Sequence, residues 1–309
     1  MKPVKNTRKK RKLQIGIALT TCLFLLIPGT GVQAEVESNI TDSETIKINA
    51  ENFPDEKFME FIASSSVDLN GDGELSKDEI RSVDRISLSE NGIEDLTGIE
   101  YLTNLQYLTC TKNSLKKLDV SQNTKLNSIK LTYCELNSLD VSQNTNLYWL
   151  DCSHNNLTSL DVSNLPHLGI FECSYNQLSS LDVSNNPELT TLNCTHNQLT
   201  SLNVSNNPKL YFFTCSYNEL TNIDVSNMPE LYTFFCQENQ LTSIDVSNNP
   251  NLRDFSCSEN LLTNIDVSNN PLLRELYCGN NPLANIDVSN NPRLDTLHCE
   301  ANNANQLRY

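Results

Sequence analysis

The chain has 309 residues, 38% of them hydrophobic, with 22 Lys and Arg, 38 Asp and Glu, and a formal net charge of −16. Residues 1–34 hold seven of the basic residues and no acidic one, so the rest of the chain carries 15 basic and 38 acidic side chains, a net charge of −23. Such a surface argues against nucleic acid and anionic membranes as partners.

The N-terminal segment has the layout of a signal peptide. Lys2, Lys5 and the run from Arg8 to Lys12 form a basic start, an apolar run follows, and Val32-Gln33-Ala34 fits a small-x-small cleavage site. The apolar run is short for a spanning helix. We therefore predict a signal peptide over residues 1–34 with cleavage after Ala34, a polar linker over 35–47, and an exported chain that does not insert in a membrane.

The stretch DLNGDGELSKDE, residues 68–79, matches a twelve-residue EF-hand loop. Gly73 occupies the position of the sharp turn, and Leu75 is the apolar residue that ties the loop to a core. Oxygen donors fall at each ligand position of that loop, and the predicted calcium ligands are Asp68, Asn70, Asp72, Glu74 (by its carbonyl), Ser76 and Glu79. The alternative is a turn rich in Asp, Asn and Gly that binds no ion.

Helical patterns flank this loop, with Phe58, Phe61 and Ile62 at helical spacing before it and a second helix from Lys77 after it. We predict a helical, EF-hand-like cap over residues 48–85. Because only one loop is present, calcium is expected as a structural clamp, and the helix pair should cover the open end of the repeats that follow.

From residue 86 onward the chain repeats itself every 21 residues, as in LTTLNCTHNQLTSLNVSNNPK (residues 189–209). The skeleton L-x-x-L-x-C-x-x-N-x-L is the leucine-rich repeat signature. Leu192-x-Cys194 alternates like a strand with one buried face, and Asn197 can satisfy the backbone of the turn. The predicted fold is an α+β repeat solenoid: a leucine-rich repeat arc over residues 86–309, with a parallel concave β-sheet, about eleven turns and a helical cap.

A cysteine recurs in this register, from Cys152 to Cys299, at the third inward position of each turn. Stacked neighbours would have side chains pointing the same way, a geometry that a disulfide does not accept. We therefore predict reduced core thiols that act as small apolar residues, although exported cysteines commonly pair. Zinc binding by Cys-x-His is not favoured, because Tyr alternates with His in the column Tyr133, His154, Tyr175, His196 and Tyr217.

An aspartate column also follows the period, from Asp119 to Asp287, with Asn203 in one turn. Since Asn substitutes for Asp there, the acceptor oxygen matters more than the charge, and the following Ser fits an Asx turn. Cation binding by this column is the less favoured interpretation.

The segment INAENFPDEKFMEFIA, the loop and ISLSENGIEDLTGIEYLTNLQYLTC together resemble the start of internalin-like leucine-rich repeat surface proteins of Gram-positive bacteria. The resemblance implies a curved solenoid that binds host or partner proteins, often in adhesion or invasion, on the bacterial surface or secreted. Two features depart from it: the repeats are 21 residues long rather than 22, and no wall-sorting motif follows Tyr309.

The residues beside each inward pair should point to the concave face. Large apolar side chains fall at five of these positions, and we predict that they bind a protein ligand: Trp149, Ile170, Phe212, Phe235 and Tyr277. The alternative is that scattered aromatic residues merely suit strands.

The sequence thus favours a monomeric, non-enzymatic binding module, since no catalytic constellation stands outside the repeated columns. The competing hypothesis is a passive surface scaffold or stalk, the N-terminal part of a larger surface protein. Ala304 stands where Leu is expected, so the end of the chain is either a minimal cap or continues further.

Overall fold

The computed structural model describes residues 45–116, 118–302 and 306–308, the last only as backbone. These residues belong to one compact unit, Ile40–Tyr309. The predicted signal peptide, most of the predicted polar linker and Ala304 lie outside the described residues. No helix in the described part of the chain has the length and apolar character needed to cross a bilayer.

The N-terminal cap consists of two short helices and a small two-stranded sheet. Strand β1 (Ile46–Lys47) pairs antiparallel with β2 (Glu74–Leu75), and these flank helix α1 (Glu56–Ile62); helix α2 (Lys77–Ser82) follows directly. Asp55 starts α1 by accepting the N–H groups of Lys57 and Phe58. Ser76 starts α2 in a capping box with Glu79.

The cap closes one end of the repeat array. The second carboxylate oxygen of Asp55 accepts the N–H groups of Glu94 and Asp95 in the first turn of the array. Phe53 is fully buried, with its ring 5.9 Å from that of Tyr101. The cap and the array therefore share one continuous core, as the exposed end of a solenoid requires.

The array forms one parallel sheet of eleven strands, which lie side by side in the order of the sequence. The strands are β3 (Arg85–Ser89), β4 (Tyr107–Thr111), β5 (Ser128–Lys130), β6 (Trp149–Asp151), β7 (Ile170–Glu172), β8 (Thr191–Asn193), β9 (Phe212–Thr214), β10 (Thr233–Phe235), β11 (Asp254–Ser256), β12 (Glu275–Tyr277) and β14 (Thr296–His298). A 3-10 helix, Ile99–Tyr101, lies in the first turn. On the return side, β13 (Asn285–Asp287) pairs parallel with β15 (Gln306–Arg308). The predicted solenoid of about eleven turns is confirmed.

The middle residue of each three-residue strand of the sheet, and the second residue of the longer β3 and β4, points into the core. From β4 to β12 these residues are at most 1% exposed, and in β9, β10 and β11 they are Phe213, Phe234 and Phe255, with ring centroids 5.4 and 5.6 Å apart. Burial of each such side chain contributes roughly 1.5–3 kcal/mol. Because one turn offers only half of each contact, this stabilisation exists only when turns stack.

The cysteine column lies two residues further along the chain. All ten described cysteines are free; nine are buried and Cys299 is partly exposed. The thiols of Cys194 and Cys236 point to carbonyls of the next strand, at 3.5 and 3.4 Å. Burial raises the pKa of the Cys194 thiol to about 12, so the reactive thiolate is suppressed. The prediction of unpaired core thiols is confirmed for these ten residues.

A first asparagine column joins each turn to the one before. The amide of Asn176 donates to the carbonyls of Cys152 and Cys173, at 3.0 and 3.1 Å, while its oxygen accepts the N–H of Leu157 at 3.0 Å. The same contacts recur in the other turns, which confirms the predicted role of this residue in the turn. The column consists of Asn113, Asn155, Asn176, Asn197, Asn218, Asn239, Asn260, Asn281 and Asn302.

Cys134 replaces asparagine in one turn and keeps part of its function. Its thiol donates to the carbonyl of Cys110 at 2.7 Å, the carbonyl 24 residues back that an asparagine amide would reach. The N–H of Leu115, which would bond to the asparagine oxygen, bonds instead to the Cys134 carbonyl at 2.9 Å. A thiol is therefore tolerated here because the backbone carbonyl of Cys134 replaces the asparagine side-chain oxygen as the hydrogen-bond acceptor.

A second asparagine column lies on the return side and was not predicted. The amide of Asn186 donates to the carbonyls of Val162 and Leu165, at 2.9 and 2.8 Å, but its oxygen has no hydrogen-bond partner. Two turns carry Leu165 and Met228 in this position, both fully buried. The other members are Asn123, Asn144, Asn207, Asn249, Asn270 and Asn291.

The aspartate column caps turns, as predicted. The Oδ1 atom of Asp266 accepts the N–H of Ser268 at 2.9 Å, and Asn203 does the same for Ser205 at 3.0 Å. These hydrogen bonds to Ser268 lower the pKa of Asp266. In the described part of the chain, no group of three or more His, Cys, Asp or Glu side chains is arranged to hold a metal ion.

Candidate functional site

The concave face consists of the first and third residues of the three-residue strands, which point away from the core. The first residues form one row across the sheet and the third residues form a second row; we call these the first row and the third row. The inward residues are all Leu, Ile or Phe, whereas these outward residues differ in chemical type from turn to turn, and the predicted binding residues all lie among them.

The structure brings the five predicted binding residues together in part. Trp149 is 37% exposed and lies beside Ile170 in register on the neighbouring strand. Phe212 and Phe235 form a second pair, with ring centroids 6.4 Å apart at an interplanar angle of 77°. Tyr277 lies apart from both pairs and stacks at 4.9 Å on His298. The result is two apolar pairs and one separate ring rather than a single patch.

The first acidic pair of the concave face is half hidden. Asp151 and Glu172 are neighbours in the third row, and Asp151 is only 5% exposed. Lys130 lies 3.8 Å from Asp151. Burial raises the pKa of Asp151, although its hydrogen bonds to Ser153 and the charge of Lys130 act against the shift. Burial and the charge of Asp151 raise the pKa of Glu172.

A second acidic pair lies in the first row. Asp254 and Glu275 are neighbours in register, and the hydroxyl of Tyr277 donates to Glu275 at 3.1 Å. Burial and the charge of Glu275 raise the pKa of Asp254, and Arg253 and Arg274 only partly offset this rise. At both pairs, burial and like charge therefore outweigh the cations that the chain itself supplies.

The edge that follows the strands carries a stack of five rings. Tyr133, His154, Tyr175, His196 and Tyr217 lie with centroids 4.0–4.2 Å apart. All five have positive φ, between 54° and 56°, the conformation that turns the chain out of each strand. Burial lowers the pKa of both histidines. The predicted polar and aromatic edge is confirmed, and neutral imidazoles suit stacking between tyrosines.

The opposite edge carries aromatic residues that sequence reasoning missed. Tyr211 and Tyr232 stack with centroids 4.7 Å apart, and the Arg253 guanidinium lies 4.9 Å from the Tyr232 ring. Tyr148 lies over Gly169, where an added Cβ would come within 2.2 Å of the ring. The position directly before each strand carries these side chains, and a column comparison at that position would have identified them.

The predicted calcium loop lies between α1 and α2, with its oxygens bonded within the loop. Asp68 accepts the N–H groups of Gly71 and Gly73, and Asp72 accepts that of Glu74. Both carboxylate oxygens of Glu79 are occupied: one accepts the N–H groups of Leu69 and Asn70, the other the N–H and hydroxyl of Ser76. The oxygen atoms of the loop and their order fit calcium. Glu79, however, uses both carboxylate oxygens to accept hydrogen bonds from Leu69, Asn70 and Ser76, and so holds the two ends of the loop together.

Comparison with solved structures agrees with this architecture. The functional domain of InlJ from Listeria monocytogenes, which is described as including a cysteine ladder, superposes with a TM-score of 0.78 and 32% identity, over 84% of this chain. The chain spans 62% of that structure. An internalin, inlF, from Listeria monocytogenes gives a TM-score of 0.78 at 23% identity, over 86% of this chain and 84% of the other.

A leucine-rich repeat protein of Leptospira interrogans matches with a TM-score of 0.63 and 24% identity, over 76% of this chain and 71% of the other. The scan against protein-family models found no match, and neither did the search of curated proteins. The eleven-stranded parallel sheet, the 21-residue turns and these structural neighbours establish an internalin-like leucine-rich repeat fold.

Proposed function

We propose that the chain is an exported protein-binding module that holds a protein ligand on its concave face. The observation that carries the proposal is the contrast on each strand between an inward residue that is always Leu, Ile or Phe and outward residues of varied chemical type, which include Trp149 and the Phe212–Phe235 pair. Large aromatic residues on a solvent-facing sheet are enriched at protein interfaces. The internalin-like fold supports a binding role rather than an enzymatic one.

The test uses the chain from Ile40 onward, which forms one compact unit. The biotinylated chain is used to capture and identify a partner from solubilised host-surface proteins, and the affinity of the purified pair is then measured. Trp149→Ala and Phe212→Ala should each weaken binding by roughly tenfold or more. Neither change should alter the unfolding midpoint by more than about 3 °C, because both side chains are partly exposed.

Leu261→Ala is the matched control, since Leu261 is 54% exposed but lies outside the concave face. It should leave the affinity unchanged. If neither Trp149→Ala nor Phe212→Ala weakens binding, the ligand lies elsewhere and the proposal is wrong. The finer role we propose is adhesion at the surface of a Gram-positive bacterium, supported by the signal peptide predicted from the sequence and by the resemblance to surface proteins.

The passive scaffold remains the competing function. The observation that favours it is that the chain spans only 62% of the InlJ functional domain, so a longer protein could carry its binding site elsewhere. A concave face that binds no host-surface protein, together with binding by a longer form of the protein, would favour the scaffold.

We further propose that the loop of residues 68–79 binds Ca²⁺ as a structural clamp. Its support is the set of oxygen donors at Asp68, Asn70, Asp72, Glu74 and Ser76, while Glu79 would have to exchange hydrogen bonds for the ion. For a site with a dissociation constant of about 0.1 mM, 1 mM Ca²⁺ would add about 1.4 kcal/mol of stability.

Calorimetric titration of the chain with Ca²⁺ tests this role. Asp72→Asn should weaken binding by removing a charge while keeping an acceptor for the Glu74 N–H. Asp266→Asn, which makes the same chemical change in a turn of the array, is the control. A chain that shows neither heat of binding nor a higher unfolding midpoint in millimolar Ca²⁺ has a loop closed by hydrogen bonds alone.

A further inference from the structure

The two acidic pairs lie diagonally opposite each other on the concave face, and we call their positions the two corners. Asp151 and Glu172 stand in the third row on β6 and β7, whereas Asp254 and Glu275 stand in the first row on β11 and β12. Hydrogen-bonded strands are about 4.8 Å apart, so five strand spacings place the two pairs about 24 Å from each other along the sheet. The two rows are a further ~7 Å apart across it.

Four aromatic side chains, interrupted by Thr191 on β8 and Ser256 on β11, lie along a diagonal across these strands, and we call this set the aromatic diagonal. It begins at Trp149 in the first row on β6, continues through Phe212 in the first row on β9, crosses to Phe235 in the third row on β10, and ends at Tyr277 in the third row on β12. At each end of the diagonal, the row that the aromatic residue does not occupy carries an acidic pair. The arrangement is close to two-fold symmetric about β9.

The carboxylates at both corners lack full compensation by the chain itself. At the first corner, one cation, Lys130 at 3.8 Å from Asp151, serves two carboxylates. At the second corner, the Arg253 guanidinium lies over the Tyr232 ring, the Thr233 hydroxyl donates to Asp254 at 3.3 Å and the Tyr277 hydroxyl donates to Glu275 at 3.1 Å. Arg253 and Arg274 offset the rise in the pKa of Asp254 only in part. Both corners would thus gain from a further cation, especially once a partner excludes water.

We propose that the concave face binds a protein segment whose apolar side lies on the aromatic diagonal and whose Lys or Arg side chains reach the acidic pair at each end, on opposite sides. The inference rests on the proposed protein-binding function and adds the chemistry of the partner. A span of about 24 Å corresponds to roughly 16 residues of helix or about seven of extended chain. The ring faces of Trp149 and Tyr277 offer cation–π contacts to the same basic groups.

Charge complementarity selects this partner over other occupants. The chain carries 38 acidic residues against 22 basic ones, so an acidic segment would be repelled on approach and would find no counter-charge at either corner. A second copy of the chain is disfavoured for the same reason. A wholly apolar segment would exclude water from the four carboxylates without supplying any further cation or hydrogen-bond donor, which costs free energy.

The test is selection from a phage-displayed library of random peptides about 18 residues long, with the chain from Ile40 onward as the target. The enriched peptides should carry Lys or Arg on both sides of an apolar centre. A synthetic copy of the leading peptide should bind roughly tenfold more weakly to Asp151→Asn/Glu172→Gln and to Asp254→Asn/Glu275→Gln. The control is Glu219→Gln/Glu230→Gln, which changes the net charge equally at exposed positions outside the face and should change binding less than twofold.

The outcomes separate the two proposals once circular dichroism has shown that every variant folds. If Trp149→Ala/Phe212→Ala weakens peptide binding but neither acidic double variant does, the concave face binds and the basic-partner inference is overturned. If none of these variants matters, both proposals fail. Enriched peptides without excess Lys or Arg, or no enrichment at all, also overturn the inference.

Discussion

The inward and outward residues of the same strands differ in how they vary. Phe234 is fully buried between Phe213 and Phe255, while its neighbour Phe235 faces the concave side beside Phe212. Inward positions repeat because each must match the turn above and the turn below. Outward positions are not packed between the turns of the core, so they vary in chemical type, and the exposed ones among them are available for a ligand. Strand positions with the same residue type in every turn therefore belong to the core, and strand positions whose residue type changes from turn to turn belong to the proposed binding surface.

The largest effect that we predict is a loss of stability at high pH, and it comes from the cysteine column. Burial raises the pKa of the thiols at the third inward position, to about 12 for Cys194, whereas thiols in the unfolded chain titrate near 8.5. The unfolded state therefore loses protons first as pH rises. Stability contributed by the protonated thiols is fully present below pH ~8.5 and falls by about 1.4 kcal/mol per pH unit for each buried thiol above it.

Urea denaturation at pH 7.5, 8.5 and 9.5 measures this effect. Eight of the buried cysteines have a raised thiol pKa, so we expect a loss of about 10 kcal/mol between the first and the last pH. Cys194→Ala should reduce the slope of the free energy of unfolding against pH by the contribution of one thiol, about 1.4 kcal/mol per pH unit. A free energy of unfolding that does not change over this range would mean that the thiols are not buried as described.

The next largest predicted effect is a difference in destabilisation between substitutions in the two asparagine columns. Asn176→Leu removes an amide that joins two turns and leaves buried backbone groups unpaired, so it should cost about 2–4 kcal/mol. Asn186→Leu removes an oxygen that already lacks a partner, and its two carbonyl acceptors also accept backbone N–H groups. Asn186→Leu should therefore lower the free energy of unfolding by less than about 1 kcal/mol. Two turns already carry a buried apolar residue, Leu165 or Met228, at this position.

Chemical denaturation of the two variants gives both values. Equal costs would mean that the two columns play the same part in the turns. A destabilised Asn186→Leu would show that its amide matters more than the buried, unpaired oxygen.

The smallest effect concerns the aspartate column. Asp266→Asn should change the free energy of unfolding by less than about 0.5 kcal/mol, because Asn203 makes the same hydrogen bond in its own turn. Asp266→Ala should cost about 0.5–1 kcal/mol by removing the acceptor for the Ser268 N–H. Urea denaturation compares the two, and a larger loss for Asn than for Ala would show that the charge matters.

Sequence patterns predicted the parts of the fold that recur. The 21-residue period identified the strands, the core thiols and the Asn176 column, because each rests on contacts repeated in every turn. The second asparagine column escaped notice because Leu165 and Met228 interrupt it and because Asn207-Pro208 also fits a simple turn. The 21-residue period alone does not distinguish an asparagine in a surface turn from a buried asparagine that hydrogen-bonds to the preceding turn.

Details that depend on neighbouring side chains could not be predicted. Asp151 is buried because Lys130 and Glu172 flank it on adjacent strands, and nothing in its own turn indicates this. The aromatic diagonal likewise emerges only when several strands are placed side by side. In the cap, the motif predicted the oxygen donors, but not that four donors of the loop occupy the Glu79 carboxylate.

The comparison of Phe234→Ala with Phe235→Ala tests the central claim most directly, because the two residues are adjacent and chemically identical. Urea denaturation should show that Phe234→Ala costs about 3–5 kcal/mol, whereas Phe235→Ala costs about 1 kcal/mol or less. Peptide or partner binding should be weakened by Phe235→Ala, under conditions in which both variants remain folded. Equal losses of stability, or binding unaffected by Phe235→Ala, would contradict the division between a structural side and a binding side of each strand.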